Sequence, residues 1–136
     1  MTKGQRTSFS YRLPLLHGIM LHMKLKDIIE GVDGQLVWGE SHLEDEIKRG
    51  FASDLMSDVL TILEDDILLI TGLSNNQAIR TAEMSDISNI LLVRNKKPSQ
   101  SMIDMAKELN IALASTPYSL FKASGLLFAK GLKPVY

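Results

Sequence analysis

The sequence predicts an α/β fold, a three-layer sandwich in which a short, mainly parallel sheet is flanked by helices. Ile67-Leu68-Leu69-Ile70, Ile90-Leu91-Leu92-Val93 and Ile111-Ala112-Leu113-Ala114 are continuous apolar runs, short enough to be strands covered on both faces. One amphipathic stretch lies between each pair, and the runs recur about every 22 residues. This alternation is the mark of βαβ units. The intervening helices share no residue pattern, so the spacing reflects βα succession rather than an internal repeat.

The elements follow in order. Leu25, Ile28, Ile29 and Val32 form one helical stripe that ends near Gly31 and Gly34. Gln35 to Trp38 reads as a brief strand, and Lys48 to Ala52 as another extended piece. Ser53 or Asp54 then caps a helix carrying Leu55, Met56, Val59, Leu60 and Leu63 on one face. Asp65-Asp66 marks a turn before the first buried strand. Ser74, with Gln77 three residues on, has the spacing of a capping box for a helix that turns Ala78, Ile79 and Ala82 inward. Pro98 and Ser99 open a helix that faces Met102, Ile103, Ala106 and Leu109 inward. Thr116-Pro117 reads as a cap followed by proline in the first helical position. The last helix is expected over Tyr118 to Lys130, with Leu120, Phe121, Ser124, Leu127 and Phe128 on one side and Gly131 as its stop.

A chain of 136 residues fits one domain and can bury roughly two thirds of its unfolded surface. Apolar residues make up 45% and charged residues 23%, values of a globular rather than a disordered chain. Cysteine is absent, which excludes disulfides, thiolate metal sites and cysteine nucleophiles and agrees with a cytoplasmic address. A net charge of -1 supplies no sustained field for a polyanion, so nucleic acid is not an expected partner. No apolar run approaches the ~20 residues that span a bilayer, and no membrane partner is expected. Residues 1–22 are expected to form a leader or poorly ordered extension, and residues 23–136 the domain. The stretch Leu13 to Leu21 loosely resembles a signal peptide, but Pro14 and His17 interrupt it and no small-residue cleavage site follows. Met23, where the first clean amphipathic pattern opens, is an alternative start to Met1.

In an open parallel sheet, ligands bind beyond the carboxyl ends of the strands, where backbone amides and helix N-termini are exposed. The candidate ligand-binding residues fall there: Ser53, Asp54 and Asp58 after the extended piece, Thr71, Gly72, Asn75 and Arg80 after the first buried strand, Arg94 after the second, and Thr116 after the third. Most such Ser, Asn and Asp residues serve as helix caps. Asp54 and Asp58, four apart, would share a helix face and pair on a divalent cation, but no histidine is spaced to join them. Arg80 either reaches an anion or pairs with Glu83. No phosphate-binding loop, dinucleotide turn, serine elbow or zinc-binding helix occurs. All three histidines precede the main βα region, which leaves a serine nucleophile without an evident base. The sequence therefore predicts no enzyme, no cofactor and no metal.

Gly50-Phe51-Ala52-Ser53-Asp54-Leu55-Met56-Ser57-Asp58-Val59-Leu60, Leu69-Ile70-Thr71-Gly72-Leu73 and Gln77-Ala78-Ile79-Arg80-Thr81-Ala82-Glu83-Met84 resemble the DRTGG domain family. Lys97-Pro98, Met105-Ala106-Lys107-Glu108, Ile111-Ala112-Leu113 and Ser115-Thr116 are also similar to the N-terminal, non-kinase domain of HPr kinase/phosphorylase. The resemblance covers about residues 25–132. It departs at the name-giving motif, where Arg94-Asn95-Lys96 stand in place of Thr-Gly-Gly. It implies a bacterial signalling or regulatory domain of a kind that accompanies CBS pairs or phosphotransacetylase and regulates or dimerises its host, without catalysis of its own.

The expectation is therefore a non-catalytic regulatory module that forms a homodimer and senses a small anionic metabolite or nucleotide near Thr71, Asn75, Arg80 and Thr116. One alternative is a ligand-free protein–protein interaction domain that docks through Trp38 or Phe51. The other is a metal-dependent hydrolase built on Asp54 and Asp58.

Overall fold

In the computed structural model, residues 23–136 are described, and the expected leader lies outside them. Helix α1 (Leu25–Gly31) forms where its apolar stripe was read, and Leu25 and Ile28 are buried beneath it. Strand β2 (Gln35–Trp38) follows, then a 3₁₀ turn at Glu40–His42. Strands β1 (Met23–Lys24) and β3 (Glu46–Ile47) pair antiparallel as a separate two-stranded ribbon. Strand β4 (Arg49–Ala52) enters the main sheet and leads to helix α2 (Met56–Val59).

Helix α2 is much shorter than its sequence pattern suggests. Ser53 Oγ accepts from the Leu55 amide at 2.9 Å, which makes a turn of the segment that was expected to start the helix. Leu55, Leu60 and Leu63 are exposed; within the helix Met56 and Val59 reach the core, and Ile62 does so only after the helix has ended. A single turn gains too few hydrogen bonds to propagate alone, and with two anchors packing does not extend it.

Strands β5 (Ile67–Thr71), β6 (Asn89–Leu92) and β7 (Ala112–Ser115) are the three buried runs, each within one residue of its expected bounds. They alternate with α3 (Asn76–Met84) and α4 (Gln100–Leu109); α5 (Leu120–Ala129) and β8 (Lys133–Pro134) complete the chain. The sheet order is β2-β7-β6-β5-β4-β8, parallel throughout except for β2, which runs antiparallel to β7.

Strand side chains alternate between the two faces. Leu69, Ile90 and Leu113 stand in one row across β5, β6 and β7 and pack with Ile79, Ala82, Met102 and Ala106 of α3 and α4. Leu68, Leu91 and Ala114 point to the other face and pack with Ile28 of α1 and with Ala123 and Leu127 of α5. The architecture is thus helices on sheet on helices, as the sequence predicts.

Of the next three helix starts, two differ in detail from the sequence expectation. Asn75, not Ser74, caps α3, its Oδ1 accepting from the Ala78 amide at 3.2 Å. Ser99 caps α4 as expected, through the Met102 amide at 3.2 Å. Ser119 caps α5 through the Lys122 amide at 3.1 Å, two residues beyond Pro117. Helix α5 is also rotated from the expected orientation, with Ala123 and Leu127 buried while Phe121 and Phe128 are 89% and 67% exposed.

His42 is buried at the amino-terminal side of the sheet, its Nδ1 against Asp45 Oδ2 and its Nε2 3.0 Å from Asn110 Oδ1. Burial alone lowers an imidazole pKa, but the hydrogen bonds to Asp45 and Asn110 and the Asp45 charge outweigh it and raise the pKa above its usual value. A raised folded-state pKa stabilises fully below the unfolded histidine value of about 6.5, and the contribution fades as pH rises through the folded value. The stability gap between the native chain and His42→Gln is accordingly expected to be widest near pH 5.5 and to narrow by pH 8.5. Urea titrations of both proteins across that range measure it, and a gap that widens with pH contradicts the assignment.

Candidate functional site

The carboxyl ends of β4 to β7 form a continuous rim, because the loops carry on the strand ladder. The Ser53 amide donates to Ile70 O at 3.0 Å, the Val93 amide to Thr71 O at 3.1 Å, and the Thr116 amide to Leu92 O at 2.9 Å. All nine candidate residues lie on this rim or in the first turns beyond it, and they divide into two groups.

The first group is committed to the rim's own structure. Asp54 Oδ1 accepts from Thr71 Oγ1 at 2.9 Å and from the Gly72 amide at 2.7 Å, and Thr71 Oγ1 accepts in turn from the Leu73 amide at 3.1 Å. This ties the loop after β4 to the loop after β5. Thr116 is buried, and its hydroxyl donates to Val32 O at 2.6 Å and accepts from the Tyr118 amide at 3.2 Å. Thr116 is therefore a fastener between α1 and the β7 loop rather than a helix cap. Ser53 holds the turn before α2, and Asn75 caps α3. Asn76 Nδ2 donates to Ser101 Oγ at 3.0 Å and joins the starts of α3 and α4.

The second group is exposed. Arg80 faces solvent on α3 and, among the described residues, forms no ion pair with Glu83. Arg94 is exposed beside Asn95 in a turn where both take left-handed backbone, with φ of 59° and 56°. Asn95 stands where the first glycine of the expected motif would, and asparagine tolerates this region better than most side chains. The turn therefore forms without glycine. Its amides are occupied, Arg94 N donating to Tyr118 O at 2.7 Å and Asn95 N to Thr116 O at 2.9 Å. Lys122 Nζ lies 3.8 Å from the centre of the Tyr118 ring at the start of α5, which adds a cation to the same end of the molecule.

Asp54 and Asp58 do not share a helix face. Asp54 precedes α2 and spends its carboxylate on Thr71 and Gly72, whereas Asp58 lies inside the helix and is exposed. Among the described residues no three His, Asp or Glu side chains converge as an ion would require. Trp38, considered as a docking residue, is half-buried against the core, with its ring 6.4 Å from His42.

Two concave surfaces lie away from the rim loops. One, of about 450 Å³, runs between α5 and the β4–β8 edge and is framed by Phe51, Phe121, Phe128 and Tyr136. Sequence reasoning missed it because it placed Phe121 and Phe128 inside. The other, of about 510 Å³, is acidic and opens at the amino ends of β5 and β6. Among the described residues no helix is long and apolar enough to cross a membrane.

An open, mainly parallel sheet with three helix N-termini and several cations at one edge defines a small α/β domain of the doubly covered class. The chain belongs to the DRTGG domain family, whose model matches residues 27–129. Among solved structures it is similar to the CBS and DRTGG domains of the regulatory region of Clostridium perfringens pyrophosphatase, complexed with the activator diadenosine tetraphosphate. That likeness has a TM-score of 0.67 at 18% identity, and it covers 90% of this chain and 54% of the other, so this chain spans about half the length of its neighbour. At such identity the likeness concerns the fold. Comparison with curated proteins gives no match.

Proposed function

We propose that this chain is a non-catalytic regulatory module that senses a small anionic metabolite or nucleotide at the rim and self-associates. The observation that carries the reading is the arrangement of the rim. Adjacent parallel strands deliver the N-termini of α3, α4 and α5 to one end of the sheet, where Arg94 and Lys122 also stand, and Arg80 follows in the second turn of α3. Helix N-termini present amide donors and the positive end of the helix dipole, a setting that favours phosphate and carboxylate groups. Asp54 and Thr116, already spent on internal bonds, act as organisers of the rim, and the ligand contacts fall to Arg80 and Arg94. The pyrophosphatase neighbour, complexed with a dinucleotide activator, makes adenine nucleotides the first ligands to try.

Self-association is supported by the apolar flank, since Phe121, Phe128 and Tyr136 are largely exposed together and monomeric proteins seldom leave so apolar a surface uncovered. The cysteine-free composition agrees with a cytoplasmic address.

Denaturation with and without ATP, diadenosine tetraphosphate and phosphorylated metabolites tests the sensing half. A ligand at about 100 times its dissociation constant is expected to add about 2.7 kcal/mol, and the double variant Arg80→Gln, Arg94→Asn to lose that gain. No stabilisation by any of them, or an undiminished gain in the variant, overturns the proposed site. Light scattering that gives a monomer at every accessible concentration overturns the self-association half.

A further inference from the structure

The acidic cavity lies at the end of the sheet opposite the rim and shares no residue with it. Asp45, Glu46, Asp65, Asp66 and Asp86 line it from three separate loops, together with Asn89. Two of these carboxylates have local partners: Asp45 is hydrogen-bonded to His42, and Asp66 pairs with Lys48 at 3.4 Å. Among the described residues Asp65 and Asp86 have no such partner, and both are exposed.

A cluster of carboxylates is an ordinary solvated surface unless something in it asks for a ligand, and Asn89 does. It heads β6, is only 4% exposed, and donates through Nδ2 to Asp45 Oδ2 at 3.4 Å. Its Oδ1 is buried and accepts no hydrogen bond. A buried amide oxygen without a donor is rare in folded proteins, because desolvation then goes uncompensated. The missing partner is an N–H or O–H donor, and the surrounding carboxylates select a positively charged one.

We infer that this cavity binds a small polyamine-like cation, one ammonium group donating to Asn89 Oδ1 and others pairing with Asp65 and Asp86. A compact metal ion suits the site less well. Calcium and magnesium draw their oxygen ligands to one point, whereas these carboxylates are dispersed and no three converge. Ammonium groups spaced along a flexible chain match dispersed carboxylates, and a cavity of about 510 Å³ accommodates such a molecule.

Calorimetric titration of spermidine into the full chain at physiological salt tests the assignment. The double variant Asp65→Asn, Asp86→Asn removes two exposed charges, and asparagine tolerates the left-handed backbone of Asp86, φ 58°. The control Glu83→Gln, Glu108→Gln removes two exposed charges elsewhere. Saturable one-to-one binding is expected, weakened about tenfold or more in the first variant and unchanged in the control. Absence of saturable binding, or equal weakening in both variants, overturns the inference. So does tighter binding of magnesium or of a tetralysine peptide than of spermidine, since the site would then serve a metal or a protein segment.

Discussion

Replacing Ile90 with alanine is expected to cost about 2–5 kcal/mol, the range for truncating a fully buried isoleucine. Ile90 is 0% exposed, lies between Leu69 of β5 and Leu113 of β7 in the central row of the sheet, and faces the α3–α4 layer. Strands hold it on two sides and helices cover it, so the site cannot collapse around the space left. The cost should approach the upper part of that range. Phe128→Ala is the instructive comparison. A larger side chain is removed, yet Phe128 is 67% exposed on α5 of the single chain, and a change within about 0.5 kcal/mol is expected at protein concentrations where the chain is monomeric. Urea midpoints for the two variants decide the matter. A large loss at Phe128 with little at Ile90 would restore the sequence-derived face of α5 and contradict the fold described here.

The second large effect is expected at Gly39. Its φ is 114°, and a Cβ added there would stand 2.8 Å from both Cα and Cβ of Ala112. Strand β2 ends at this point against β7, next to the register shift between Leu36 and Trp38. Both obstacles are backbone or backbone-proximal atoms of a central strand, so neither can swing aside. Gly39→Ala is expected to lose about 1–3 kcal/mol from overpacking and a further 1–3 kcal/mol from the strained backbone. Gly125→Ala provides the opposite result, because apart from its chain neighbours and the backbone of α5 itself no atom lies within 4 Å of the added Cβ. A gain of about 0.5–1 kcal/mol is expected there. Equal effects at the two glycines, read as urea midpoints at unchanged m-value, would remove the close β2–β7 approach from the account.

The rim shows where sequence reasoning succeeded and where it stopped. Loops at the carboxyl ends of parallel strands follow from strand order alone, and Ser53, Asp54, Thr71, Gly72, Asn75, Arg94 and Thr116 stand at or beside that edge. Which of them remain available to a ligand could not be read. The bond from Thr71 and Gly72 to Asp54 spans 17 and 18 residues, and that from Thr116 to Val32 spans 84. Hydrogen bonds of such separation leave no periodic trace. The polar network at the amino end was likewise hidden. His42 and Asp45 have a readable three-residue spacing, but Asn110 comes from 68 residues away. An asparagine at the head of the apolar run Ile90 to Val93 was the one available signal for the acidic cavity.

By itself the sequence determined the class of the fold and its family, because a strand covered on both faces must be apolar at consecutive positions, and that pattern is local. Tertiary structure decided the edges and the faces. Strands β1, β3 and β8 are two residues each and exist only through their pairing. Helix α5 is apolar at Leu120, Phe121, Leu126, Leu127 and Phe128, so hydrophobicity does not choose its buried side. Small Ala123, fully buried with Leu127, lies where the helix meets the sheet layer, and the two phenylalanines are thereby turned outward. Close packing made that choice, and packing is a property of neighbours that the chain brings together only when folded.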